Sequence, residues 1–216
     1  MSELQKFVAD VCEGRDASHG YEHMQAVAQS ATKIAEEMNM PDRINDLVIK
    51  VAWLHDVADH KYDVCNKLPD SDSKLLIKLK QFLNDDEDSD LILKIIDRIS
   101  YSKENEAKIW GSPLDWYNEL GPDGCMVRDI VSDADKLEAL GKIGFERCVQ
   151  YTMHANPGIT KQELQFKVQK HSNEKLLRLN DEFLRTKPGK ERGVNLHNEF
   201  VQCLNEMPAN LDRFYE

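Results

Sequence analysis

The chain has no run of apolar residues approaching the roughly 20 that a membrane-spanning helix needs. It has no CxxC pair among its five cysteines and too little positive charge, with 28 Lys and Arg against 39 Asp and Glu and a net charge of −11. Each absence excludes something. Without the apolar run, no bilayer-crossing helix is expected. Cys12, Cys65, Cys125, Cys148 and Cys203 are scattered and odd in number. That spacing fits a reducing compartment and neither a disulfide framework nor a zinc knuckle. Affinity for nucleic-acid polymers comes mainly from Lys and Arg neutralising phosphates, so the acidic excess argues against DNA or RNA spread over a broad surface. A small phosphorylated ligand stays open, because one divalent ion and two or three local cations reverse the potential inside a cleft. The stretch Met1 to Cys12 alternates charged and apolar residues and lacks the order of a signal peptide. A soluble, cytoplasmic protein is expected.

Strand signals are equally scarce. No alternating run exceeds a few residues, and Asp123-Gly124 is not flanked by two such runs, so it reads as a turn into a helix. There is also no internal repeat. What fills the chain is helical period. Met24, Val27, Ala28, Ala31, Ile34, Ala35 and Met38 fall at steps of three and four and paint one apolar stripe on a helix from Glu22 to Met38. A second helix is predicted over about Ile44 to Ala58, with Leu47, Val48, Val51, Ala52 and Leu54 leading into His55. Further helices are expected near Ser2 to Cys12, Ser73 to Leu83, Ser89 to Ser100, Gly124 to Leu140, Gly144 to Met153, Thr160 to Leu184 and Val194 to Glu206. Thr160 with Glu163 reads as a capping box, and Ser112-Pro113 as a helix start. Asn84 to Asp90 reads as a solvated acidic loop, and the basic Lys187 to Gly193 as a break between helices or a loop near substrate. At 216 residues and 41% hydrophobic content, the chain suits one all-α domain or a domain with a helical extension.

Three of these helices carry polar groups where apolar ones are expected. His55 continues the face of Leu47 and Val51. A buried imidazole must satisfy both ring nitrogens, which an ordinary hydrogen-bonded core position does, as does a metal on one nitrogen with an acceptor on the other. Asp56 then places a carboxylate beside that ring, where an unpaired buried charge would cost several kcal/mol. His23 opens the strongest amphipathic helix, and Asp135 lies one turn after Val131 on another.

The order His, then His-Asp, then a distant Asp before a basic residue and Leu resembles the HD-domain superfamily of metal-dependent phosphohydrolases, especially its small stand-alone bacterial-type members. The supporting segments are Ser18-His19-Gly20-Tyr21-Glu22-His23, His55-Asp56, Ile99 to Ser102, Asp133 to Arg147 and His171 to Leu177. The resemblance implies a compact HD-domain helical bundle over residues 1–216. Its metal-binding core would span about 16–150 and a helical extension about 151–216. It further implies one divalent ion held by His23, His55, Asp56 and Asp135. That donor set, without thiolate, suits six-coordinate Mn²⁺, Co²⁺, Ni²⁺, Fe²⁺ or Mg²⁺ better than structural zinc.

A continued helix turn would bring Asp59 to the same cleft as the base that positions or deprotonates water, or leave it as a helix-terminal residue bonded to backbone. Asp133 is the next carboxylate for that role. Lys61 is placed to meet phosphate as a point charge. His19 reads as a substrate contact or a loop residue, and Lys136 and Arg147 as phosphate-binding cations or surface salt-bridge partners. The implied reaction is hydrolysis of a phosphoester or phosphoanhydride in a small molecule, with a nucleotide the leading class. The alternatives are a catalytically silent metal or nucleotide sensor and a non-hydrolytic enzyme of the same fold. A dinuclear phosphodiesterase is disfavoured, because the chain lacks a Gly-Lys after the doublet and the extra histidines such enzymes use.

Overall fold

A computed structural model describes residues 1–15, 19–59, 62, 73–111 and 116–215. Among the described residues there is no strand, and the elements are helices throughout. They are α1 (Glu3–Val11), α2 (Tyr21–Glu37), α3 (Asp42–Leu54), α4 (Lys74–Phe82), α5 (Ser89–Ile96), α6 (Tyr101–Ile109), α7 (Tyr117–Glu138), α8 (Gly141–His154), α9 (Lys161–Glu174) and α10 (Lys187–Asn210). Short 3₁₀ turns occupy Leu176–Arg178 and Leu211–Phe214, and a π-helical turn occupies Leu179–Phe183. The all-α expectation therefore holds. No helix of the described residues is long and apolar enough to cross a membrane. The chain forms two compact units, Met1–Ser132 and Asp133–Glu216, divided within α7.

In the first unit α2 and α3 pack against each other, and α1 and α5 pack on α3. The predicted stripe on α2 is the buried one: Met24, Val27, Ala31, Ile34 and Ala35 have no exposed surface. Leu47, Val48, Val51 and Leu54 of α3 meet the same fate, each such large side chain contributing about 1.5–3 kcal/mol on burial. Phe7 of α1 stacks on Phe82 of α4 with ring centres 4.1 Å apart. Arg128 of α7 and Glu104 of α6 form a fully buried ion pair in the same unit. The Arg128 guanidinium also covers the Trp116 ring at 4.2 Å and donates from Nε to the Arg98 carbonyl at 3.0 Å.

In the second unit α8 packs on α10 and α9. Phe145 and Phe200 meet edge to face at 5.8 Å. The Thr160–Glu163 capping box opens α9 as expected.

Several expectations are corrected. The helix predicted over Thr160 to Leu184 ends at Glu174 and passes into 3₁₀ and π turns. Lys187 to Gly193 is not a break but the opening of α10, where Thr186 caps the helix and Pro188 occupies its first turn. Asp123-Gly124 does lead into a helix: the α7 range is two helical segments joined across Gly121, whose φ of 65° is not helical and favours glycine, and the second segment opens just after it. The helix expected to run to Ala58 ends at Leu54, and α6 was not foreseen. Ser112-Pro113 lies outside the described residues.

Candidate metal centre

α2 brings His23 inward on its first turn, one residue before Met24 in the buried stripe, and His23 is only 5% exposed. α3 ends at Leu54, and His55 caps it on the face continued from Val51, with its side chain 1% exposed. The two imidazoles therefore meet inside the first unit. Their ring centres are 5.3 Å apart at an interplanar angle of 65°, and each offers a ring nitrogen within 4.8 Å of the other's.

The tautomer of His55 follows from its neighbour. Nδ1 lies 2.8 Å from the Ala52 carbonyl oxygen, which can only accept, so Nδ1 donates and a neutral ring carries its lone pair on Nε2. That Nε2 faces Oδ2 of Asp56 at 3.9 Å. The separation is too long for a hydrogen bond, and two lone-pair donors at this distance suit a cation, since ligands bound at about 2.0–2.2 Å to one ion stand roughly 3–4 Å apart. The donors present thus fit a divalent ion.

After α3 the backbone does not continue as an α-helix. Val57 N–H donates to the Leu54 carbonyl and Asp59 N–H to that of Asp56, at 3.1 and 3.2 Å, so tight three-residue turns carry the chain forward. This corrects the continued helix expected to place Asp59. The outcome for the side chain is nevertheless close to the expectation: Asp59, Asp56 and His19 each offer a ligand atom within 4.8 Å of one another, all half-buried. His19 Nδ1 shares a 3.0 Å hydrogen bond with the Tyr62 hydroxyl. Lys61 lies outside the described residues.

Arg15 was missed from the sequence. Its guanidinium forks onto the carbonyls of Asp56 and Val57 at 2.9 and 2.7 Å and lies 4.7 Å from the centre of the Tyr62 ring. It fixes the backbone of the doublet across 41 residues of sequence, which no local pattern signals.

In the second unit Asp135 lies on the last turn of α7, partly exposed, between the buried Ala134 and Lys136. Lys136 is only 3% exposed, which removes the surface salt-bridge alternative for it. Arg147 reaches Glu138 at 3.6 Å. Asp133 has no exposed surface, and both its oxygens receive donors from the segment before α10: Arg185 N–H, Thr186 N–H and the Thr186 hydroxyl. Burial pushes its carboxyl above the ordinary value, against the pull of those hydrogen bonds and of Lys136. Both carboxylate oxygens of Asp133 are thus engaged by the segment before α10.

No family model matches the sequence. The chain is similar to YpgQ of Bacillus subtilis, at 25% identity over 97% of this chain and 92% of that one. A crystal structure of YpgQ in complex with ADP superposes with a TM-score of 0.62 at 24% identity, covering 96% of this chain and 93% of that one. A Lactobacillus plantarum protein gives 0.69 at 23% identity and 99% coverage of both chains. An HD-superfamily hydrolase from Bacillus thuringiensis gives 0.63 at 23%, covering 97% of this chain and 95% of that one. The chain thus shares, over nearly its whole length, the fold of a nucleotide-bound bacterial protein and of an HD-superfamily hydrolase.

Proposed function

We propose that the chain is a cytoplasmic, divalent-metal-dependent phosphohydrolase that acts as one domain over residues 1–216. The substrate is a small phosphorylated molecule, with nucleotides the leading class, and His23, His55, Asp56 and Asp135 hold the ion. The observation that carries this reading is the pair of buried imidazoles beside Asp56, with the His55 tautomer set by Ala52 so that Nε2 faces the carboxylate. The ADP held by YpgQ supports the nucleotide class.

When bound there, Mn²⁺, Co²⁺, Ni²⁺, Fe²⁺ or Mg²⁺ supplies Lewis acidity toward phosphorus and lowers the pKa of a coordinated water. Asp59 orients the attacking water and takes its proton as the water oxygen bonds to phosphorus and the bond to the leaving oxygen breaks. His19, fixed by Tyr62, faces the same carboxylates and is the substrate contact. Lys61, Lys136 and Arg147 offset the charge of the phosphate oxygens.

The test joins elemental analysis of the purified protein to a phosphate-release screen across nucleotides with each metal added in turn. Close to one ion per chain and release from at least one nucleotide are expected, both lost in His55→Ala. Stoichiometric metal with no release from any substrate would replace catalysis with the sensor reading.

A further inference from the structure

The carboxylate of Asp133 is built into the start of α10 with unusual completeness. Oδ1 receives Arg185 N–H at 2.8 Å, while Oδ2 receives Thr186 N–H and the Thr186 hydroxyl, both at 2.7 Å. The same hydroxyl accepts Gly189 N–H at 3.0 Å as the helix cap. Thr186 therefore relays between the end of α7 and the first turn of α10. Gly189 is required for the approach: a Cβ there would stand 2.3 Å from Asp133 Oδ2 and 2.7 Å from Thr186 Oγ1.

We propose that Asp133, Thr186 and Gly189 form a latch that sets the rotation of the end of α7 and thereby aims Asp135, making Asp133 a positioning residue for the metal ion. This rests on Asp135 being a ligand, as proposed above. Successive residues of an α-helix are about 100° apart, so Asp133 and Asp135 point to nearly opposite sides of the same turn. Pinning one fixes the direction of the other. A carboxylate lies ~6 Å from the helix axis, so a rotation of roughly 10° displaces it by about 1 Å. Metal–ligand distances tolerate only about 0.2 Å, so even that small rotation is felt at the ion. The latch holds through backbone N–H groups and a capped helix end, both stiffer than a side-chain pair.

The test is a Mn²⁺ titration of metal-free, full-length protein followed by electron paramagnetic resonance, with thermal unfolding of the same metal-free samples. Thr186→Val removes the relaying hydroxyl at nearly constant size, and Gly189→Ala forces the carboxylate away. Each is expected to weaken Mn²⁺ binding ~10- to 100-fold, and Thr186→Ser to stay within ~3-fold of wild type, as for groups that orient a metal ligand. Thr160→Ala is the control, since it removes a helix cap elsewhere and should lower the melting temperature without changing Mn²⁺ affinity. If Gly189→Ala does not fold, the two Thr186 variants decide. Wild-type affinity in Thr186→Val, whatever its melting temperature, would overturn the latch and leave the metal reading standing. Wild-type protein that takes up no Mn²⁺ would overturn the metal reading and the latch with it.

Discussion

Asp56 and Asp59 are three residues apart and share a cluster with His19, yet they are assigned different work. Asp56 faces the His55 lone pair at 3.9 Å, the placement of a ligand, whereas Asp59 stands one tight turn further on. Asp59→Asn should leave bound Mn²⁺ and KM close to wild type and lower kcat by roughly 10²- to 10⁴-fold, the range for loss of a general base. Asp56→Asn should weaken the metal itself, with partial recovery at high Mn²⁺. Full activity in Asp59→Asn would show that Asp59 is only structural and overturn its role as the base. Among the thiols, burial pushes Cys148 up to about 11, against the pull of the Thr152 hydroxyl and Lys175. A raised pKa keeps the thiol protonated, so at pH 8 only about one chain in a thousand carries the thiolate. Alkylation at Cys148, resolved by mass spectrometry, should climb about tenfold per pH unit from 7 to 9.5. A rate that levels off near pH 9 would show an ordinary thiol.

Helices α2 and α3 were legible because each buries one continuous apolar stripe, and the same stripes carry His23 and His55 inward. α6 was not legible for a related reason. Its sequence Tyr101 to Ile109 has almost no stripe, and the buried side chain that ties it down is an acid, Glu104, paired with Arg128 of α7 far along the chain. The start of α10 was hidden by Pro188 and Gly189, which read locally as a break; Thr186 caps them into a helix, and the close approach of its hydroxyl and of the distant Asp133 carboxylate explains the glycine. The buried pair makes a prediction at this scale. Glu104→Leu leaves the buried Arg128 charge only the partly exposed Asp129 carboxylate, at 2.7 Å from its guanidinium, and should cost about 3 kcal/mol in urea unfolding. Adding Arg128→Met to it should recover part of that loss. A double variant no more stable than Glu104→Leu alone would mean that Arg128 is held chiefly by Asp129, Trp116 and the Arg98 carbonyl.

For the molecule as a whole, the all-α character and the identity of the candidate ligands came from pattern, because helical period and the His, His-Asp, Asp order are both written along the chain. The bonds that hold those ligands were not legible: Arg15 reaches Asp56 across 41 residues and Asp133 reaches Arg185 across 52, and contacts of that span leave no periodic trace. An acidic chain with a net charge of −11 gains from a bound cation beyond local coordination. A ligand that binds only the folded state stabilises it by about 2.7 kcal/mol at one hundred times its dissociation constant. For a chain of this size that amounts to roughly 5–10 °C in melting temperature. Wild-type protein should therefore melt that much higher in excess Mn²⁺ than in a chelator. Thr160→Ala should melt lower under both conditions but keep the difference, because it removes the cap at the start of α9 and none of the proposed ligands. Asp135→Ala and His55→Ala should lose the difference, because each removes one of the proposed ligands and so the differential binding that raises the melting temperature. Thermal scans of all four proteins with and without Mn²⁺ decide the matter, and a wild-type curve indifferent to the metal would remove the ion from the account of this protein.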